Sequence, residues 1–107
     1  MSTYLLTAAA EADLRDIIRY TRQQWNNAQV RRYIAKLEKA MQRLAEGEGA
    51  FKNLGEVYPA LRVVLCEHHY VFCLARDAAL PLIVAIFHER MDLMTRLGDR
   101  LDTSNNA

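Results

Sequence analysis

The side chains in this sequence best suited to chemistry are three histidines, two cysteines and a dense set of arginines and lysines. His68 and His69 are adjacent, and His88 is followed by Glu89. A metal centre needs three or four converging ligands. Neighbours on an extended chain point to opposite faces, so His68 and His69 are not expected to chelate as a pair. His88 and Glu89 diverge for the same reason, and His88 is expected to cap its strand and hydrogen-bond locally. Cys66 and Cys73 are read as small buried hydrophobes rather than as a disulfide. Nucleophilic catalysis has no support, because both serines, Ser2 and Ser104, lie in the termini and neither a G-x-S-x-G motif nor a glycine-rich phosphate loop occurs. No metal and no cofactor is expected.

The cations carry more information. Between positions 15 and 43 there are eight Lys/Arg against two acids, in a chain whose net charge is only +1. Arg32, Lys36, Lys39 and Arg43 recur at i, i+4, i+7 and i+11, one stripe on a helix, suited to solvent, to an acidic partner or to nucleic acid, the last weakened because no glycine-rich or aromatic-interleaved loop accompanies it. Arg62 stands among apolar residues in a strand, where a guanidinium requires a carboxylate or several carbonyls; a functional and a structural role are both open, the structural one being a buried pair with Glu89 or Asp92. Met91, Met94, Leu97 and Leu101 form a soft apolar stripe that either covers a sheet or recognises a partner.

These residues are positioned by a legible set of elements. Leu61–Cys66, His69–Ala75 and Leu82–His88 are rich in Val, Ile, Leu, Phe and Tyr and are separated by short breaks. They read as three strands, antiparallel because the spacers are too short for a crossover. With Glu67-His68 as the turn, Cys66 faces His69, Val64 faces Val71 and Arg62 faces Cys73. One sheet face then carries Leu61, Val63, Leu65, Tyr70, Phe72 and Leu74, and the other carries Arg62, Val64, Cys66, His69, Val71 and Cys73.

Thr3–Leu6 is a short apolar run suited to an edge strand. Thr7 is the expected N-cap of a helix over 8–25, and Asn26-Asn27 caps a second over 28–46 that ends at Gly47. The pair forms an antiparallel hairpin expected to cover the Leu61/Val63/Leu65/Tyr70/Phe72/Leu74 face. Residues 47–60 hold three of the four glycines and one of the two prolines and read as a loop. A third helix is expected over 90–101, available to the other sheet face, with 102–107 a flexible polar tail. The result is an α+β domain of order β-α-α-β-β-β plus a C-terminal helix, a single unit over 1–101. At 107 residues, 51% hydrophobic and 25% charged, the composition is that of a globular domain. No run approaches a membrane span and the first residues lack a signal peptide's pattern, so the expected location is cytoplasmic.

That element order, with A-E-A-D-L-R-D-I in the first helix, P-A-L-R-V and H-H-Y-V-F in the strands and H-E-R-M-D-L-M-T-R-L at the end, resembles the ParE branch of the RelE/ParE toxin superfamily. The strings Y-T-R…W and Q-V-R-R-Y-I-A-K-L-E are similar to those of plasmid-stabilising members. The resemblance implies the toxin of a type II toxin–antitoxin pair. Such a toxin poisons DNA gyrase, in its A subunit, by trapping cleaved DNA, and a ParD-like antitoxin holds it inactive. It implies a binding protein rather than an enzyme, with no sequence-specific nucleic-acid binding by the toxin alone and with self-association of the free toxin as an option. The alternative is a ribosome-dependent endoribonuclease of the RelE type. In those nucleases the open sheet face carries several Lys/Arg and a late Tyr or His; here the corresponding face is mostly Val64, Cys66, Val71 and Cys73, with only His69 and His88 able to move a proton.

The segment Glu89–Arg100 is the expected gyrase contact, through Arg90, Met91, Met94, Arg96, Leu97 and Arg100. The antitoxin is expected on Arg32, Lys36, Lys39, Arg62, Val64, Val71 and Cys73.

Overall fold

The structure is a computed structural model that describes residues 3–105. Each element begins and ends where local chemistry requires. Strand β1, Leu5–Leu6, leads into helix α1, Ala8–Gln24, whose N-cap Thr7 accepts a hydrogen bond from the amide of Ala10. Helix α2, Asn27–Glu46, starts at the N-cap Asn26, which accepts from the amide of Gln29. It stops at Gly47, where φ of 72° is the left-handed conformation that glycine adopts without Cβ strain. Strands β2, Lys52–Asn53, β3, Leu61–Cys66, β4, His69–Leu74, and β5, Leu82–His88, follow. Helix α3, Leu93–Asn105, begins after Asp92, whose carboxylate accepts from the Thr95 hydroxyl at 2.9 Å. It therefore starts three residues later than the sequence pattern predicts and continues through part of the expected tail; 106 and 107 lie outside the described residues.

The sheet order is β1-β5-β4-β3-β2, with β1 parallel to β5 and every other pair antiparallel. The predicted register holds throughout β3 and β4: Cys66 opposes His69, Val64 opposes Val71, and Arg62 opposes Cys73. Strand β2 is an addition inside the predicted loop.

The assignment of layers is reversed from the expectation. The hairpin α1/α2 covers the mixed face, packing Ile17, Tyr33, Leu37, Met41 and Leu44 against Val71, Cys73, Ile83 and Ile86. Helix α3 covers the wholly apolar face, packing Leu97 and Leu101 against Leu61, Val63, Phe72, Val84 and Phe87. The polar members of the mixed face lie at its rim, where the hairpin supplies partners. The Nη1 of Arg62 donates to the carbonyls of Leu44 and Ala45, at 3.1 and 3.3 Å, satisfying the end of α2. Its guanidinium also lies over the Phe51 ring. Carbonyls, not Glu89 or Asp92, therefore hold Arg62.

Strand β5 contains a bulge: Phe72 opposes Ala85 and Cys73 opposes Ile83, leaving Val84 as the extra residue. The bulge turns Val84 and Ala85 both toward α3 while Ile83 and Ile86 face the hairpin. Beyond Ile83, where β1 ends its pairing, two side chains complete the outer edge of β5. Asp13 of α1 accepts from the amide of Ile86 at 3.0 Å, and Arg100 of α3 donates to the carbonyl of Val84 at 2.9 Å. The two join each other through a forked pair at 2.7 and 3.0 Å, with side chains only 16% and 18% exposed. One ion pair thus fastens α1, β5 and α3 around the sheet edge.

Candidate functional site

A hollow of about 580 Å³ lies between α1 and the histidine end of the sheet. Its floor is Ile17, Thr21, Tyr33, His69 and Ile86; Tyr20, Trp25, His68, Arg90 and Met91 form its rim. Thr21 turns its hydroxyl back onto the carbonyl of Ile17, at 2.9 Å, and so presents only its methyl side to the floor. Trp25 meets Tyr33 edge-on, with ring centroids 5.5 Å apart.

All three histidines gather here. His68 occupies the β3–β4 turn rather than a strand, so its ring is not bound by strand alternation and stacks on His88, which also meets the edge of His69. Each Nδ1 is already engaged. The Tyr33 hydroxyl is hydrogen-bonded to His69, Glu89 holds His68 at 3.3 Å, and the Arg90 amide donates to His88 at 3.1 Å. Glu89 therefore pairs with His68 across the turn and not with its neighbour His88. Burial first, then the nearby His88 and His68, push the His69 pKa down to about 4, which keeps that ring neutral at pH 7. Burial raises the Tyr33 pKa, so its hydroxyl stays protonated and donates to the imidazole. Among the described residues no group of three or more His, Cys, Asp or Glu is placed to hold a metal ion.

The residues expected to contact gyrase divide in two. Arg90 and Met91 sit on the groove rim, and Met94, 60% exposed, and Arg96 face solvent on α3. Leu97 is fully buried against the sheet and Arg100 is committed to Asp13, so both fasten α3 and neither is free to meet a partner. The residues expected under the antitoxin divide similarly. Arg32 and Lys39 are exposed on α2, and Lys36 reaches Glu67 at 2.8 Å across an exposed ion pair. Val71 and Cys73 lie fully buried beneath the hairpin, and Arg62 is tied to α2, because the layers are exchanged relative to the expectation. Val64 is half-buried and lines a second hollow of about 180 Å³ between α2 and β3, with Ala40, Arg43, Phe51, Leu65 and Cys66. There Leu65 is 47% exposed, two residues beyond Val63, the last pairing with β2.

Sequence reasoning passed over Asp13, Tyr20, Trp25 and Tyr33 as site residues. Trp25 and Tyr33 carried a usable signal, being aromatics that flank the hairpin turn; Asp13 carried none, since its partner Arg100 is 87 positions away.

The geometry describes a small sheet with a helical layer on each side, an aromatic and histidine groove at one end, and an exposed Met/Arg ridge beside it. The family profile described as the ParE toxin of the type II toxin–antitoxin system parDE matches residues 4–93. The chain is 68% identical over 101 residues to Toxin ParE of Escherichia coli, an alignment covering 94% of this chain and 98% of that protein. It is 29% identical over 92 residues to Toxin ParE1 of Mycobacterium tuberculosis, in strain CDC 1551 and in strain H37Rv, covering 86% of this chain and 94% of each relative. With most of its length matched, this chain belongs to the ParE toxin family of type II toxin–antitoxin systems.

Proposed function

We propose that the protein arrests growth by binding DNA gyrase, in its A subunit, and stabilising the cleaved DNA complex. Its working surface is the groove rim and the exposed side of the segment before and along α3, through Arg90, Met91, Met94 and Arg96. The observation that carries this reading is the ridge itself. Two methionines, 41% and 60% exposed, stand between arginines beside a hollow walled by Tyr20 and Trp25. Adaptable apolar side chains, aromatics and arginine are the composition of a protein-binding hot spot. The toxin acts by occupancy, without bond chemistry of its own: the Nδ1 atoms of its histidines are spent on Tyr33, Glu89 and the Arg90 amide. Its site of action is the cytoplasm, and no helix among the described residues is long and apolar enough to cross a membrane.

A ParD-type antitoxin neutralises it along the flank between α2 and β3. Arg32, Lys36 and Lys39 offer charge there, and Val64 and Leu65 offer apolar contact beside an unpaired stretch of strand edge. Purified protein added to gyrase with supercoiled plasmid tests the gyrase reading: accumulation of linear DNA after denaturation is expected. Undiminished supercoiling together with cleavage of ribosome-bound message would replace this reading with the ribonuclease one.

A further inference from the structure

We propose that the outer face of the helical hairpin is a sequence-independent binding surface for the phosphate backbone of duplex DNA. Charge is strongly segregated in this nearly neutral chain. Residues 15–43 hold eight Lys/Arg against two acids, and the remainder holds six against eleven. Two of the eight are committed locally: Lys36 to Glu67, and Arg43 to a position over Gly49, where its Nη2 lies 2.8 Å from the site a Cβ would take. The other six, Arg15, Arg19, Arg22, Arg31, Arg32 and Lys39, are all exposed. Only Arg19 has an ion-pair partner among the described residues, Asp16 at 3.7 Å with both side chains about three-quarters exposed, a contact too solvated to hold it.

Arg15, Arg19 and Arg22 recur at i, i+4 and i+7 on the side of α1 opposite buried Ile17. Arg32 and Lys39 repeat seven residues apart on α2, away from buried Leu37. Each row runs about 10 Å along its helix. The other exposed residues between Arg15 and Arg22 are Asp16 and Tyr20, and between Arg32 and Lys39 they are Ala35, Lys36 and Glu38; the exposed aromatics Tyr20 and Trp25 belong to the groove. A protein partner requires an apolar core within its interface; a row of phosphates requires only cations and fixes no sequence. The choice of duplex as the polyanion rests on the gyrase reading, since a toxin that holds a cleaved complex sits beside the enzyme's DNA.

Binding of the full chain to a random duplex of roughly 30 bp, followed by fluorescence anisotropy between about 50 and 200 mM salt, tests the surface. Six phosphate contacts predict a fall in affinity of about 10³-fold across that range, and the triple variant R15Q/R19Q/R22Q about 40-fold from a weaker start. An unchanged melting temperature shows that each variant is folded, and R15Q/R19Q/R22Q should also retain antitoxin binding; R31Q/R32Q/K39Q, which includes two positions on the proposed antitoxin flank, supplies an independent second variant with the same expected loss of salt slope. Absence of salt-dependent binding by the wild type, or an unchanged salt slope in both variants, would overturn the proposal. So would duplex RNA outcompeting the DNA, or loss of antitoxin binding with DNA binding intact. Gyrase poisoning, measured in parallel, separates the two readings. Duplex binding without poisoning refutes the gyrase target alone, and poisoning without duplex binding refutes this surface alone.

Discussion

The two helical layers of this molecule are attached in different ways. The hairpin lies on the sheet through a long buried stripe, with Leu37, Met41 and Leu44 at or near zero exposure. Helix α3 is a single element attached by Leu97, Leu101 and the Arg100–Asp13 pair. Dispersion and apolar burial are non-directional and tolerate small shifts; a forked ion pair that also completes a strand bulge tolerates none. The hairpin is therefore a scaffold, whereas α3 is a clipped-on part whose exposed side can serve recognition. A layer held by few contacts is also the one expected to open first in local unfolding.

Four changes probe that contrast. The largest effect is expected from Leu37→Ala, which leaves a cavity at the centre of the hairpin layer and should cost about 2–5 kcal/mol in urea unfolding. Next comes Asp13→Asn. It removes the charge facing Arg100 and weakens acceptance from the Ile86 amide, with an expected cost of about 2–3 kcal/mol. It should also speed hydrogen exchange at Ile86 and along α3 while the hairpin amides stay protected. Equal exchange in both layers would erase the distinction between scaffold and clip.

Smaller still is a pH effect. The folded-state pKa of His69 is lowered from 6.5 to about 4, so between those values the unfolded chain binds a proton that the folded chain does not. Stability from this group is complete above about pH 6.5 and is lost progressively as pH falls toward 4. His69→Gln should flatten that part of the stability profile; an unchanged acid slope would show that His69 is not its source. Last, Lys36→Ala breaks only an exposed pair and should leave the melting temperature within experimental scatter while weakening the antitoxin.

Local chemistry was legible in the chain because it is written within a few residues. Thr7, Asn26 and Gly47 bound the two long helices as their types predict, and the tight Glu67-His68 turn set the whole β3–β4 register. The layer assignment failed because apolar content alone does not decide which helices cover a face. Arg62 and His69 made one face look too polar to lie under the hairpin, yet each is a rim residue that joins the hairpin, through the end of α2 and through Tyr33. The bulge at Val84 and the Asp13–Arg100 clip depend on residues from opposite ends of the chain. No local pattern signals them. Leu97 and Arg100 were misread for that reason, whereas Arg90 and Met91 were placed on the groove by the short turn after His88.

The proposed gyrase-binding surface is the Met/Arg ridge beside the groove. It is tested most directly by DNA-cleavage trapping with purified gyrase, comparing the wild type with Arg90→Glu/Met94→Glu, two exposed positions outside the core. The variant should melt like the wild type, still bind antitoxin and fail to accumulate cleaved DNA. Trapping by the variant at wild-type toxin concentrations would contradict that placement.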